Sequence, residues 1–190
     1  MSRLSFIHLA TALLLVSCAA ACGDSSQAAA PPTAPVAAPP APVQPPPTTP
    51  APAQAGASNF GTISLAPGFV PDPHVASGTS GGSVAASSMN ATCAGWVSST
   101  PDHLFVSTGS FASLRILASA TEDVTLVIQR PDGTYTCNDD TEGTNPIVSG
   151  AFPAGTYKIW VGSYAQGASA AYRLGVSELT STTAASLSNG

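Results

Sequence analysis

Positive charge is scarce in this chain. Five Lys and Arg stand against ten Asp and Glu in 190 residues, a net charge of −5. Arg115, Arg130, Lys158 and Arg173 are isolated from one another along the sequence, and Arg3 lies at the N-terminus. A nucleic-acid binder needs clustered cations to displace counterions from phosphates. Nucleic acid is therefore excluded as a partner, and so is an electrostatic grip on anionic lipid. Charge of either sign is only 8% of the residues, and cysteine is limited to four positions. Cys93 and Cys137 have neither a CxxC partner nor a Cys/His spacing, which excludes a redox motif or a thiolate metal site at either. Amphipathic helical periodicity is missing throughout, which excludes a helical bundle.

What the chain has in excess is proline and alanine, placed unevenly. From Ala28 to Ala57 there is no charge, and eleven prolines fall between Pro31 and Pro52. Proline fixes φ and removes a donor, so neither helix nor sheet is expected here. A semi-stiff polyproline-II spacer of at most about 90 Å, at ~3.1 Å per residue, is the expected state. Flanking basic or aromatic anchors of a proline-motif ligand are lacking, so residues 23–57 are read as a disordered stalk.

Residues 1–22 read as an export signal. Arg3 supplies a positive n-region, and Leu4–Val16 an apolar stretch too short to be a permanent membrane span, so no transmembrane helix is expected in the mature chain. Leu15-Val16-Ser17-Cys18 resembles the bacterial lipobox, whose cysteine is lipidated and becomes the new N-terminus. Cys22 is the alternative. Cleavage there would remove Cys18 and leave only Cys93 and Cys137, an even pair in an oxidising compartment. The expected location is outside the cytoplasm: a lipoprotein anchored at the outer membrane or cell surface, or a periplasmic or secreted protein.

Residues 58–179 remain for one globular domain, and 180–190 for a disordered tail. Alternation marks the strands. Leu114, Ile116 and Ala118 share one face, as do Val124, Leu126 and Ile128, with Val127 opposite. Tyr157, Ile159 and Val161 share another, and so do Tyr172, Leu174 and Val176. Thr62–Leu65, Ser83–Ala86 and His103–Val106 are weaker strand candidates. Arg130-Pro131-Asp132-Gly133 reads as a hairpin turn into a return strand, Thr134–Cys137. The fold class is all-β, an antiparallel two-sheet sandwich of jelly-roll type. A Cys93–Cys137 bridge would close a long loop and contribute about 4 kcal/mol by the chain-entropy estimate.

Taken together, Gly68-Phe-Val-Pro-Asp-Pro73, Gly78-Thr-Ser-Gly-Gly82, Cys93-Ala-Gly-Trp96, Pro101-Asp-His103, Pro131-Asp-Gly133, Cys137-Asn-Asp-Asp140 and Gly155-Thr-Tyr-Lys-Ile-Trp-Val-Gly162 resemble the bacterial pre-peptidase C-terminal domain. The resemblance spans nearly the whole globular part. It implies a small β-sandwich, usually appended to secreted peptidases as an accessory to secretion, localisation or substrate binding. Here a stalk stands where that family has a peptidase, so the module is expected to act alone or for a partner in trans.

Three groups of residues raise the question of chemistry. Gly78-Thr-Ser-Gly-Gly82 imitates a serine-protease nucleophile motif, and Asp72, His74 and Ser80 supply the residue types of a triad. They fall within nine positions, whereas a triad gathers distant segments, so catalysis is not expected. His74 and His103 read as lone packing or capping histidines. Asn138, Asp139, Asp140, Glu142 and Asn145 form the best hard-cation cluster, with ligand types at alternate positions as in the first half of a calcium loop. The twelfth position is Ser149, which excludes an EF-hand; Asp132 and backbone carbonyls would have to complete the set. An acidic turn bonding its own backbone is the competing reading. Calcium is thus the one cofactor the sequence admits. Trp160 points opposite to Ile159 and Val161. With Tyr164 it is a candidate for stacking on a sugar or peptide, against the reading of an indole packed over the disulfide. The expected function is a non-enzymatic surface module that binds an envelope or secreted protein, a peptide or a glycan. A secreted hydrolase or peptidase-associated fragment and an inert envelope scaffold are the alternatives.

Overall fold

A computed structural model describes residues 56–187. The expected signal segment, almost all of the stalk, Cys18, Cys22 and residues 188–190 lie outside them. Eleven strands run in order: β1 (Thr62–Leu65), β2 (His74–Thr79), β3 (Val84–Ala85), β4 (Trp96–Val97), β5 (His103–Ser107), β6 (Phe111–Ala120), β7 (Val124–Gln129), β8 (Tyr135–Asn138), β9 (Ile147–Phe152), β10 (Gly155–Ser163) and β11 (Ala171–Ser177). A short helix, α1 (Ala184–Leu187), closes the described chain.

The strands form two sheets. The larger is centred on β10, which pairs antiparallel with β7 along one edge, while β7 carries β8 beyond it. The other edge of β10 is shared by β5, which carries the parallel β1, and by β4, which carries β3. The smaller sheet has the order β2-β11-β6-β9. The alternating positions predict which faces meet. Leu114, Ile116, Ala118, Val124, Leu126, Ile128, Tyr157, Ile159, Val161, Tyr172, Leu174 and Val176 all lie in one buried cluster between the sheets. Each large apolar side chain removed from water contributes roughly 1.5–3 kcal/mol, so this layer supplies the main drive to fold. Pro131-Asp-Gly133 closes the β7–β8 hairpin as expected. Asp132 Oδ1 accepts from the Thr134 N–H and hydroxyl, and Gly133 takes φ +86°, where a Cβ would be strained.

The far side of the larger sheet is also covered. Residues 84–97 lay Ala86, Cys93 and Val97 over Val127 and Trp160. Cys93 is bonded to Cys137 on β8, with Cα atoms 5.3 Å apart, which pins this excursion to the sheet's outer strand. Val127 is fully buried as a result.

Residues 180–187 correct the expected disordered tail. Thr182, Ala184 and Leu187 are buried. Leu187 rests on Leu117, Ile147 and Val75, on the outer face of the smaller sheet. Room for it comes from Gly175, where an added Cβ would lie 2.6 Å from a Leu187 methyl. Polar contacts hold the segment down. Arg115 Nη1 donates to the Thr180 carbonyl (2.5 Å), Glu142 Oε2 accepts from the Ala184 N–H (2.8 Å), and the hydroxyls of Thr182 and Ser177 bond to each other (2.7 Å).

Candidate functional site

One carboxylate is built into the frame. β5 leaves the edge of β10 at Ile159, and β4 takes over at Ser163. Asp102 bridges the gap. Its N–H donates to the Ile159 carbonyl (2.8 Å) and its Oδ2 accepts from the Val161 N–H (2.8 Å), as a strand carbonyl would. Oδ1 accepts from Asn59 Nδ2 (2.9 Å) and the Ser98 hydroxyl (3.2 Å). Burial raises its pKa against the lowering effect of these donors. Next to it, His103 is fully buried, with Nε2 2.9 Å from the Tyr172 hydroxyl and its ring tilted against Phe60. Burial lowers the His103 pKa to about 4. The expectation of a packing histidine matches this position.

The triad-like residues are held apart by separate bonds. Ser80 is buried; its Oγ accepts from the Ala170 N–H (2.9 Å) and bonds the Ser163 hydroxyl (3.0 Å). Asp72 accepts from the Ser177 hydroxyl (2.5 Å) and the Glu178 N–H (3.0 Å). His74 begins β2, opposite Val176.

The six residues expected to take calcium do not come together as a set. Asp132 is at the β7–β8 turn, one end of β8, and Asn138 is at the other. Asn138 Oδ1 accepts from the Thr141 hydroxyl (2.7 Å) and the Ile147 N–H (2.8 Å). Asn145 Oδ1 accepts from the Ala120 N–H (3.0 Å). Glu142 serves the C-terminal segment and faces Arg115 at 3.7 Å. Only Asp139 and Asp140 remain near a third carboxylate, Asp123, whose pKa is raised by burial first and then by those two charges. Among the described residues no three His, Cys, Asp or Glu gather at metal-binding distance. Three of the six, Asn138, Glu142 and Asn145, thus spend side-chain oxygens on hydrogen bonds within the fold.

Trp160 is corrected from an outward stacking residue to an interior one. It is 4% exposed and lies in the cluster with Cys93 and Val97, because residues 84–97 cover the face that alternation leaves outside the main core. Tyr164, just past β10, is 53% exposed and free to stack.

A sizeable recess lies elsewhere, on the outer face of the smaller sheet. It has a volume of about 380 Å³ and is lined by Ser77 and Gly78, Ser119 to Thr121, and Ala171 to Arg173. Ser77, Arg173 and Ser119 sit side by side across three strands. The neighbouring outward row, Val75, Gly175 and Leu117, is the one under Leu187. The groove therefore adjoins the row that Leu187 covers. Arg173 is partly buried, and its Nε is shut off from water with no acceptor among the described residues. Sequence reading set Arg173 aside as an isolated cation. The signal that finds it is its outward position between Tyr172 and Leu174.

No protein-family model matches this sequence. No curated protein matches it either. Among solved structures, the chain is similar to the pre-peptidase C-terminal domain of collagenase from Bacillus anthracis, at 14% identity over 64% of this chain and 98% of that one, with a TM-score of 0.42.

Proposed function

We propose that this chain is an exported, lipid-anchored, non-enzymatic module whose β-sandwich binds a protein, peptide or glycan outside the cytoplasm. The observation that carries this reading is the groove on the four-stranded sheet: an open recess with one cation and no nucleophile–base pair among its lining residues. Concave sites with a few convergent polar groups are where ligands bind. The Cys93–Cys137 bond supports an oxidising compartment. Anchoring through Cys18, or through Cys22, rests on the lipobox pattern and the proline-rich stalk that follows. The rival hydrolase reading draws on Ser80 or the acidic loop, and the Ser80 hydroxyl is buried and bonded into the frame.

Two measurements test the proposal on the full chain. Bacteria expressing it and fed an alkyne fatty acid should label the protein, and Cys18→Ala should abolish the label while Cys22→Ala retains it. Label lost only in Cys22→Ala moves the anchor to that residue; no label on the wild-type chain removes the anchoring. Second, the purified chain should retain a component of envelope or secreted fractions. Failure to retain any would leave an inert scaffold.

A further inference from the structure

The groove has a definite chemistry. Four cations lie among the described residues, and two are spent on the fold. Arg115 holds Thr180 and faces Glu142. Arg130 bonds Thr136 and Ala151 and lies over the Phe152 ring. Lys158 is exposed on the other sheet. Arg173 alone stands in the groove, flanked in register by Ser77 and Ser119, with Thr121 at the rim and no carboxylate in the lining. A guanidinium presents a planar fork of donors that matches a carboxylate bidentately. Partial burial strengthens that match, because the site is screened less than an open surface.

The border of the groove says what carries the carboxylate. Among the described residues β2 is an edge strand, paired only with β11. Its other edge offers backbone donors and acceptors to an incoming strand. A peptide added there would lie two strand spacings, about 10 Å, from β11. An acidic side chain and the Arg173 side chain, reaching toward each other over Ser77, span that distance. The lining offers small and hydroxylated side chains rather than exposed aromatic rings; its one aromatic, Tyr172, is buried. Rings are what a neutral sugar would stack on. We propose that the groove is a subsite for a carboxylate on an extended acidic peptide, which pairs with the free edge of β2 and is clamped by Arg173. This deepens the binding reading above and rests on it.

The test titrates the full chain with a hexapeptide of alternating Thr and Glu, capped at both ends, and with its Thr/Gln counterpart. The expected result is binding of the Glu peptide alone, with the Arg173 Nε–H resonance shifted and the affinity falling as salt rises. Arg173→Gln should weaken it roughly ten-fold or more, the loss of one charge-assisted pair, and Arg173→Lys should restore part. Unchanged melting temperatures show that both variants fold. Equal binding of both peptides, an unshifted Arg173, or no binding at millimolar peptide overturns the proposal. So does binding of polygalacturonate in place of the peptide, which would assign the groove to an acidic glycan. Undiminished retention of envelope components by Arg173→Gln also sinks the peptide subsite while leaving the module reading intact; a wild-type chain that retains nothing sinks the module reading itself.

Discussion

Asp102 and His103 are consecutive and buried, and pH acts on them in opposite senses. Burial holds His103 at a pKa of about 4 in the folded chain, against an ordinary value of 6.5. The unfolded chain therefore takes up a proton first as pH falls. The stability tied to the neutral ring is complete above pH 6.5 and is lost as pH drops toward 4, by roughly 3 kcal/mol over that window. Asp102 is raised, so its contribution grows as the carboxyl protonates on the acid side of its folded pKa, which offsets part of the loss lower down. Urea unfolding at pH 7 and pH 5 should show the wild-type chain weaker at pH 5. His103→Gln, which keeps a group able to bond the Tyr172 hydroxyl, should flatten that difference. An equal slope in the variant would mean that the histidine is not the group responsible.

At the scale of elements, the strands most legible in the sequence were those with large apolar residues at every second place: β6, β7, β10 and β11. Their inward residues are those of the main core. β2 and β9, like the two-residue β4, carry no strand pattern in the sequence. β2 is small and polar, His-Val-Ala-Ser-Gly-Thr, and β9 contains Gly150, so neither shows clear alternation. The C-terminal segment was missed for a different reason. A four-residue helix has no period to detect, and its stability comes from a space left by Gly175 on the preceding strand and from Val75, Leu117 and Ile147, which are remote in the sequence. Leu187→Ala should cost about 2–4 kcal/mol, a buried leucine cut to a methyl. Hydrogen exchange should then quicken at residues 180–187 and spare β10. Uniform quickening would show that the segment is part of one cooperative unit rather than a strap laid on it.

For the whole molecule, the two-layer sandwich and the cysteine pairing were readable before any coordinates, while the candidate site was not. A groove depends on which outward row is covered and which is left open, and that is decided by contacts between segments remote in sequence. The acidic loop shows the same limit. Its spacing imitates a cation loop, but Asn138, Glu142 and Asn145 turn their oxygens to the N–H groups of Ile147, Ala184 and Ala120. The melting temperature should accordingly be the same in millimolar calcium and in chelator; a rise of several degrees with calcium would return Asp139 and Asp140 to the role of ligands.

The entry of the chain into the sandwich bears on mechanical load. Any pull along the residues before Gly56 arrives first at Asn59, whose side chain is tied to Ser98, Thr100 and Asp102 and whose N–H is tied to Pro101. Past that knot, tension meets β1, zipped in parallel to β5 over four residues. Force directed along a strand strains its rungs together instead of opening them one by one, so a domain pulled from its N-terminal side would resist first at this corner.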